Sequence, residues 1–323
     1  MTTAKGLSLI SGGLDSQLAV RVLEGAGAYM EGVSFSTPFF SPDAAIKAAD
    51  ALGIKLHIVD FTADEIALIE NPPHGFGGAM NPCIDCHAMM IKRAGELMMK
   101  LGFDFVSTGE VMGQRPMSQN KQSLGVVEKA SGMKGRLVRP LSAKLLEPTL
   151  PELEGKLNRE KLLDISGRGR ERQIALAAEF GIVDYPSPAG GCKLTEKGFG
   201  RKLKDLKDHE GLSERKLVEL LNIARRFRLP DGTSVILGRD RIENAALKEC
   251  SEYIVVSPIN CPGPTAVIPA AKSPEDMRLA ISLVAAYSRS DRLQGDIIVC
   301  AQGEKINVPR PYDRNRFLEY QIC

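Results

Sequence analysis

Short apolar runs and longer stretches of helical period alternate along the first hundred residues. The pattern predicts strands at 7–11, 30–36, 54–61 and 103–107. Helices are predicted at 15–26, 42–52, 63–70 and 84–101, with a Gly/Pro-rich loop at 71–82. This rhythm implies an α/β fold, a Rossmann-like doubly wound parallel sheet with helices on both faces. Right-handed crossovers, and a reversal of strand order beside the first strand, would gather loops 11–16, 34–38 and 107–114 around one crevice.

Beyond residue 134 the rhythm weakens. Residues 136–141 read as one more strand and 171–180 as a helix, and Tyr185 to Gly191 has the composition of a turn or hinge. Amphipathic helices are predicted at 196–207 and 213–227, the second with Leu217, Leu220, Leu221 and Ala224 on one face. Strands at 233–238, 252–256, 265–269, 296–301 and 304–308, with helices at 240–249 and 275–288, make a smaller α+β domain. The expected organisation is a domain at 1–190, a helical connector at 191–229 and a second domain at 230–323.

A chain of 323 residues, 43% hydrophobic and 25% charged, can bury the cores of two soluble domains. The net charge of +2 leaves a polyanionic partner to be met by local patches. No apolar run spans a bilayer, and the first strand starts too early for a signal peptide, so a cytoplasmic protein with no membrane partner is expected. The 7 cysteines, an odd and scattered set, do not read as a secreted disulfide framework. Trp is absent and aromatics are few, which argues against extensive base-stacking platforms.

Ser11-Gly12-Gly13-Leu14-Asp15-Ser16, between a strand and a helix, is a phosphate cradle. Two glycines leave backbone N–H groups open to an anion, and the helix adds its positive end. Ser11 and Ser16 offer hydroxyls, whereas Asp15 would repel a phosphate unless Mg²⁺ lay between them. No Gly-Lys-Ser/Thr follows, so it is not a Walker loop.

A second constellation is Asn81-Pro82-Cys83-Ile84-Asp85-Cys86-His87, a CxxC pair opening a helix, where a thiol pKa is expected to fall. Cys192, after Gly190-Gly191, is a third candidate. Three thiolates can hold a [4Fe–4S] cluster with one iron left open. Disulfide or persulfide chemistry, structural zinc with His87 as a fourth ligand, and plain packing are alternatives. Cys250, Cys261, Cys300 and Cys323 read as packing residues.

SGGLDS resembles the pyrophosphatase loop (PP-loop) of enzymes that cleave ATP to AMP and pyrophosphate. Together with Asn81 to His87 and Cys192 it is similar to the tRNA thiolation enzymes of that class, whose 2-thiouridylases usually carry Asn where His87 stands. Ser107-Thr108-Gly109-Glu110-Val111-Met112-Gly113-Gln114, with Ser118-Gln119, is closer to the tRNA 4-thiouridine synthases. The resemblance spans about 5–195 and implies a HUP-type fold. It also implies ATP bound by Ser11, Gly12, Gly13, Leu14, Asp15 and Ser16, with Thr108, Gly109 and Gln114 near by and Ser34 and Phe35 beside the adenine or ribose. Asp15, Cys83, Cys86 and Cys192 would be catalytic, the three cysteines also holding the cluster. The implied reaction is adenylation of a uridine carbonyl in tRNA and replacement of its oxygen by sulfur from sulfide or a cysteine desulfurase persulfide. A PP-loop amide-forming ligase and a non-catalytic RNA-binding accessory protein are the alternatives.

Departures from the family are also expected: no N-terminal RNA-binding domains and no rhodanese-like carrier. Instead, Ile236 to Asn244 and Pro262 to Val267 resemble the NFACT-R domain, an RNA-associated module, over about 230–323. Basic residues at Arg168, Arg170, Arg172, Arg201, Lys202, Lys204, Arg225, Arg226, Arg228, Arg239, Arg241, Arg310, Arg314 and Arg316 are expected to form one phosphate-contacting band leading to the Cys192 crevice.

Overall fold

Alternation along the strands sets the layering of the first unit. In β1 (Ala4–Leu9) Ala4 and Leu7 enter different core clusters, as do the neighbours Phe105 and Val106 of β4 (Phe105–Ser107). A strand buried on both faces needs helices on both. In this computed structural model the described residues are 3–115, 118–187, 191–289, 294–310 and 312–322. They divide into the units Met1–Thr195 and Glu196–Cys323.

The first unit runs β1, α1 (Leu14–Gly25), β2 (Ala28–Ser36), α2 (Asp43–Leu52), β3 (Leu56–Asp60), α3 (Thr62–Glu70), α4 (Cys83–Leu101), β4, α5 (Lys121–Ser131), β5 (Leu137–Val138), α6 (Leu150–Leu153) and α7 (Glu171–Glu179). All pairings are parallel, in the order β3-β2-β1-β4-β5. The order reverses between β1 and β4, as the pattern predicted, and ligands of such sheets bind outside that switch point. One core cluster joins α1, α2 and α7 residues (Leu18, Ala48, Ala177) to Phe105; the other joins α3, α4 and α5 residues (Leu68, Ile91, Val127) to Leu7 and Val106. Phe105 is fully buried, and its truncation to Ala would cost about 3–5 kcal/mol.

Helix α5 has no counterpart in the sequence reading. Its signals are an Asn120 cap accepting from Ser123 N at 2.8 Å, buried Leu124 and Val127, and a left-handed Gly132 stop, diluted by Ser123 and Gly125. Within the expected turn at 185–191, Pro188 to Gly190 lie outside the described residues, as does Cys323.

The second unit contains α8 (Lys197–His209), α9 (Arg215–Leu220), β6 (Arg225–Arg228), β7 (Ser234–Leu237), α10 (Arg241–Lys248), β8 (Ile254–Pro258), β9 (Ala266–Ile268), α11 (Pro274–Ala286), β10 (Ile297–Ala301) and β11 (Glu304–Val308). Its strands form one antiparallel sheet, β11-β10-β8-β9-β7-β6. The helix expected at 213–227 is corrected: it stops at Leu220, Ala224 takes φ 69°, and Arg225–Arg228 pairs with β7. The apolar face that predicted the longer helix is real as far as Leu221, and Phe227 then enters the sheet core. Residues 191–195 stay with the first unit, whereas α8 and α9 belong to the second.

Candidate active site

The turn after β1 is held by its own side chains. Gly12 takes φ +81°, and an added Cβ would collide with the Ala44 backbone at the start of α2. Gly13 is the N-cap of α1 and supplies no side-chain acceptor, so the first-turn amides face outward with the positive end of the helix. Ser16 Oγ donates to Gly13 O at 2.8 Å, and Gln17 Nε2 donates to Gly12 O and Asp184 O, both at 3.1 Å. Gln17, which the motif does not include, pins the loop from behind. Leu14 contributes backbone only, since its side chain is core.

Three strand-end loops meet here. Gly12 abuts α2, which follows β2. Gly109, after β4, lies so close to α1 that a Cβ would stand 2.5 Å from the Asp15 carbonyl carbon. Gln114 Nε2 donates to Asp15 Oδ2 at 3.0 Å, while Asp15 Oδ1 is buried with no hydrogen-bond partner. Thr108 Oγ1 turns instead to Glu110 Oε2 at 3.0 Å. Ser34 is buried in register with Ile58, and the Phe35 ring packs edge-on against Phe61 at 5.2 Å in the core. Of that pair, therefore, Phe35 does not offer its ring to the crevice.

The CxxC segment is wrapped by the loop before it. Asn81 Nδ2 donates to Cys83 Sγ at 3.1 Å and Asn81 Oδ1 accepts from Ala79 N at 3.0 Å. Buried Asp85 holds His74 through its amide, at 2.9 Å, and its ring Nδ1, at 2.6 Å. Cys86 donates its S–H to Glu65 Oε2 at 3.1 Å. Cys192 is held in the first unit by Lys193 N, which donates to Phe39 O at 2.9 Å in the loop after β2.

The drop in thiol pKa expected for the CxxC pair is corrected for Cys86, and Cys192 is raised as well. Burial, and then the Glu65 charge, push Cys86 well up. Burial pushes Cys192 up to about 12, with Glu65 and Cys83 adding to it and the Leu194 and Thr195 amides opposing. Burial outweighs the helix end because it removes water from the whole thiolate, whereas the dipole acts only through partial charges. These causes also show that the three thiols are near enough for charge on one to disfavour charge on another. Burial likewise raises Glu65 to about 7, and its Oε1 has no partner. His87 faces Glu110 Oε1 at 3.6 Å. Among the described residues no three His, Cys, Asp or Glu side chains are set to hold a metal ion.

Behind His87 lies a buried network that no motif revealed. Arg139 Nε donates to Glu110 Oε2 at 2.9 Å, Nη1 to Glu128 Oε2 at 3.0 Å and Nη2 to Leu124 O at 3.1 Å. Burial alone would raise the Glu110 pKa, but Arg139 and His87 outweigh it and hold the carboxyl at about 2. The buried arginine before Pro140 was the available signal.

Two members of the expected basic band are corrected. Arg226 and Arg228, with side chains 3% and 13% exposed, are neutralised by Asp205 and Glu210 at 2.5 to 2.9 Å. Arg239 is paired with Glu243, Lys204 with Asp208 and, in the first unit, Arg172 with Asp164.

A parallel sheet with a glycine-rich turn at its switch point is that of a doubly wound α/β protein, a class whose ligands bind at the strand ends. Residues 1–144 match the family described as thiamine biosynthesis protein (ThiI), and residues 224–310 match the NFACT protein RNA binding domain. A probable tRNA sulfurtransferase of Thermoanaerobacter sp. (strain X514) is 34% identical over 149 residues, 43% of this chain and 37% of that protein. A tRNA-specific 2-thiouridylase MnmA of Marinobacter nauticus is 26% identical over 212 residues, 60% of this chain and 52% of that protein. The chain therefore spans 37% to 52% of the length of these relatives. A 4-thiouridine synthetase solved with RNA and bound ATP aligns at a TM-score of 0.38 and 21% identity, covering 67% of this chain and 52% of that one. No helix among the described residues is long and apolar enough to cross a membrane.

Proposed function

We propose that the chain is an ATP-dependent tRNA thiolation enzyme, which adenylates a uridine carbonyl and replaces its oxygen with sulfur. One observation carries this reading. The loop after β4 touches both centres at once, through Gly109 on Asp15 and through Glu110 on His87, next to Cys86. A carbonyl oxygen of uracil is a poor leaving group, so a site that releases pyrophosphate and a site that handles sulfur belong side by side.

In this reading the amides of Gly12 and Gly13 and the hydroxyls of Ser11 and Ser16 hold the phosphates while the uracil oxygen attacks the α-phosphorus. The unpartnered Asp15 Oδ1 fits Mg²⁺ arriving with ATP; that ion would neutralise charge on the leaving pyrophosphate. Sulfide displaces AMP directly; a persulfide carried on one of Cys83, Cys86 and Cys192 displaces AMP through its outer sulfur, a second of these thiols then takes the inner sulfur as a disulfide and frees the thiolated base, and an external thiol reduces that disulfide. Those thiols have the donor chemistry of a three-cysteine [4Fe–4S] site. With the Cys86 proton engaged by Glu65 they do not form a ligand shell among the described residues. Residues 230–323 would hold the RNA, and a tRNA substrate implies a cytoplasmic enzyme.

The test is mass spectrometry of tRNA nucleosides from a deletion strain, paired with the purified protein, ATP, sulfide and unmodified tRNA. Loss of 2- or 4-thiouridine in the strain, and its ATP-dependent formation in vitro, are expected. An unchanged nucleoside profile would refute the reading.

A further inference from the structure

We infer that Arg225 and Arg314 form a phosphate clamp across Tyr287 that binds the RNA backbone. The clamp lies wholly within the second unit and rests on the reading of the chain as an enzyme that acts on RNA. It replaces the broad basic band with one place.

The strand β6 separates its arginines by face. Arg226 and Arg228 are spent on Asp205 and Glu210, as described above. Among the described residues Arg225 has no carboxylate partner; its guanidinium carbon stands 5.4 Å from the centroid of the Tyr287 ring. Arg314 reaches the same ring from the C-terminal segment, at 4.4 Å, and among the described residues it too has no carboxylate partner. The chain brings them together because Ile322 N donates to Arg226 O at 2.8 Å and Gln321 bridges to Phe227, laying that segment along the free edge of β6. Tyr287 is itself fixed, edge-on to Phe227 at 5.8 Å. The acid nearest Arg314 in sequence, Asp313, is turned to the Asn315 amide at 2.9 Å.

Two guanidiniums on one ring repel each other, and the π face compensates each by only about 0.5–1 kcal/mol at an exposed site. Like charges held this close without a counter-charge are relieved by an anion between them. A phosphodiester suits two arginine forks, and phosphate contact is the part of nucleic-acid binding that ignores sequence. Arg310 over Tyr312, at 5.8 Å, and Arg316 over Phe317, at 6.0 Å, repeat the arrangement in the same segment. The match of residues 224–310 to an RNA-binding family includes Arg225 and Tyr287.

The experiment measures binding of labelled tRNA to the full chain as a function of salt. R225Q/R314Q should weaken binding and lower the slope of log K against log salt by roughly 1.4 to 1.8, which is two contacts at roughly 0.7–0.9 each. R225K/R314K should keep most of the slope. R314Q alone, at an exposed position, should lower it by about half as much. Wild-type affinity and slope in R314Q and in a double variant of unchanged melting temperature would overturn the clamp. Wild-type protein that binds no tRNA would overturn both the clamp and the thiolation reading. Protein that shows the expected slopes but forms no thiouridine would refute thiolation and leave the clamp standing.

Discussion

The side-chain amide of Gln114 reaches one oxygen of Asp15 at 3.0 Å, and the other oxygen of that carboxylate is buried with nothing to bond. The carboxylate is thus aimed by a residue about a hundred positions away, with one acceptor left for an incoming cation. D15N is expected to lower pyrophosphate release by roughly 100-fold or more, the cost of a lost electrostatic contact to a developing charge. Q114A, which frees the orientation but keeps the charge, should cost about tenfold, the equivalent of about 1.4 kcal/mol. Pyrophosphate assays on both variants check the order; a Q114A effect as large as that of D15N would mean that Gln114 touches ATP itself.

Thiol reactivity should follow burial. In iron-free protein at mildly alkaline pH, Cys86 and Cys192 should alkylate more slowly than in the unfolded chain, since burial raises both. E65Q removes a negative charge next to both and should speed their labelling. Peptide mass spectrometry against time measures this. Unchanged rates in E65Q would show that the Glu65 charge does not reach the thiols.

The Glu110 carboxyl has a folded pKa of about 2 against an ordinary 4.5. A depressed acid contributes stability that is full above the unfolded value and is lost as pH falls through the folded one. The drop corresponds to about 3 kcal/mol. Acid unfolding between about pH 4.5 and 2 should therefore be shallower in E110Q than in the wild type. R139M, which leaves Glu110 buried without its partner, should cost about 3–5 kcal/mol at neutral pH. Urea melts at several pH values test both.

R226A/R228A should destabilise the second unit by several kcal/mol, since Asp205 and Glu210 would be left without their partners. Where the protein stays folded, the salt slope of tRNA binding should not change. A slope that falls with unchanged stability would return these arginines to the RNA surface.

The parallel sheet, its switch point and the phosphate turn were legible because each is local: a short apolar run, a glycine pair, a helix of clear period. The partners that tune the site were not. Glu65 lies 21 residues from Cys86 and Glu110 lies 29 from Arg139, so only folding pairs them. Their burial, which sets the thiol and carboxyl pKa values, has no sequence signature. Arg226 and Arg228 failed for a related reason: a run of arginines reads the same whether it meets water or a pair of half-buried acids, and Ala224 at φ 69° hid a strand within a helical pattern.

The docking of Lys193 on Phe39 has a consequence for timing. Cys83 and Cys86 leave the ribosome about a hundred residues before Cys192. The segment that carries Cys192 is the last of its unit, so a nascent chain holds two unmatched thiols after the glycine turn has been made. Contacts between such distant positions form late. The thiol trio comes into being only with the closing stitch of the first unit, and a truncation before residue 192 removes the third thiol while leaving the glycine turn after β1 in place.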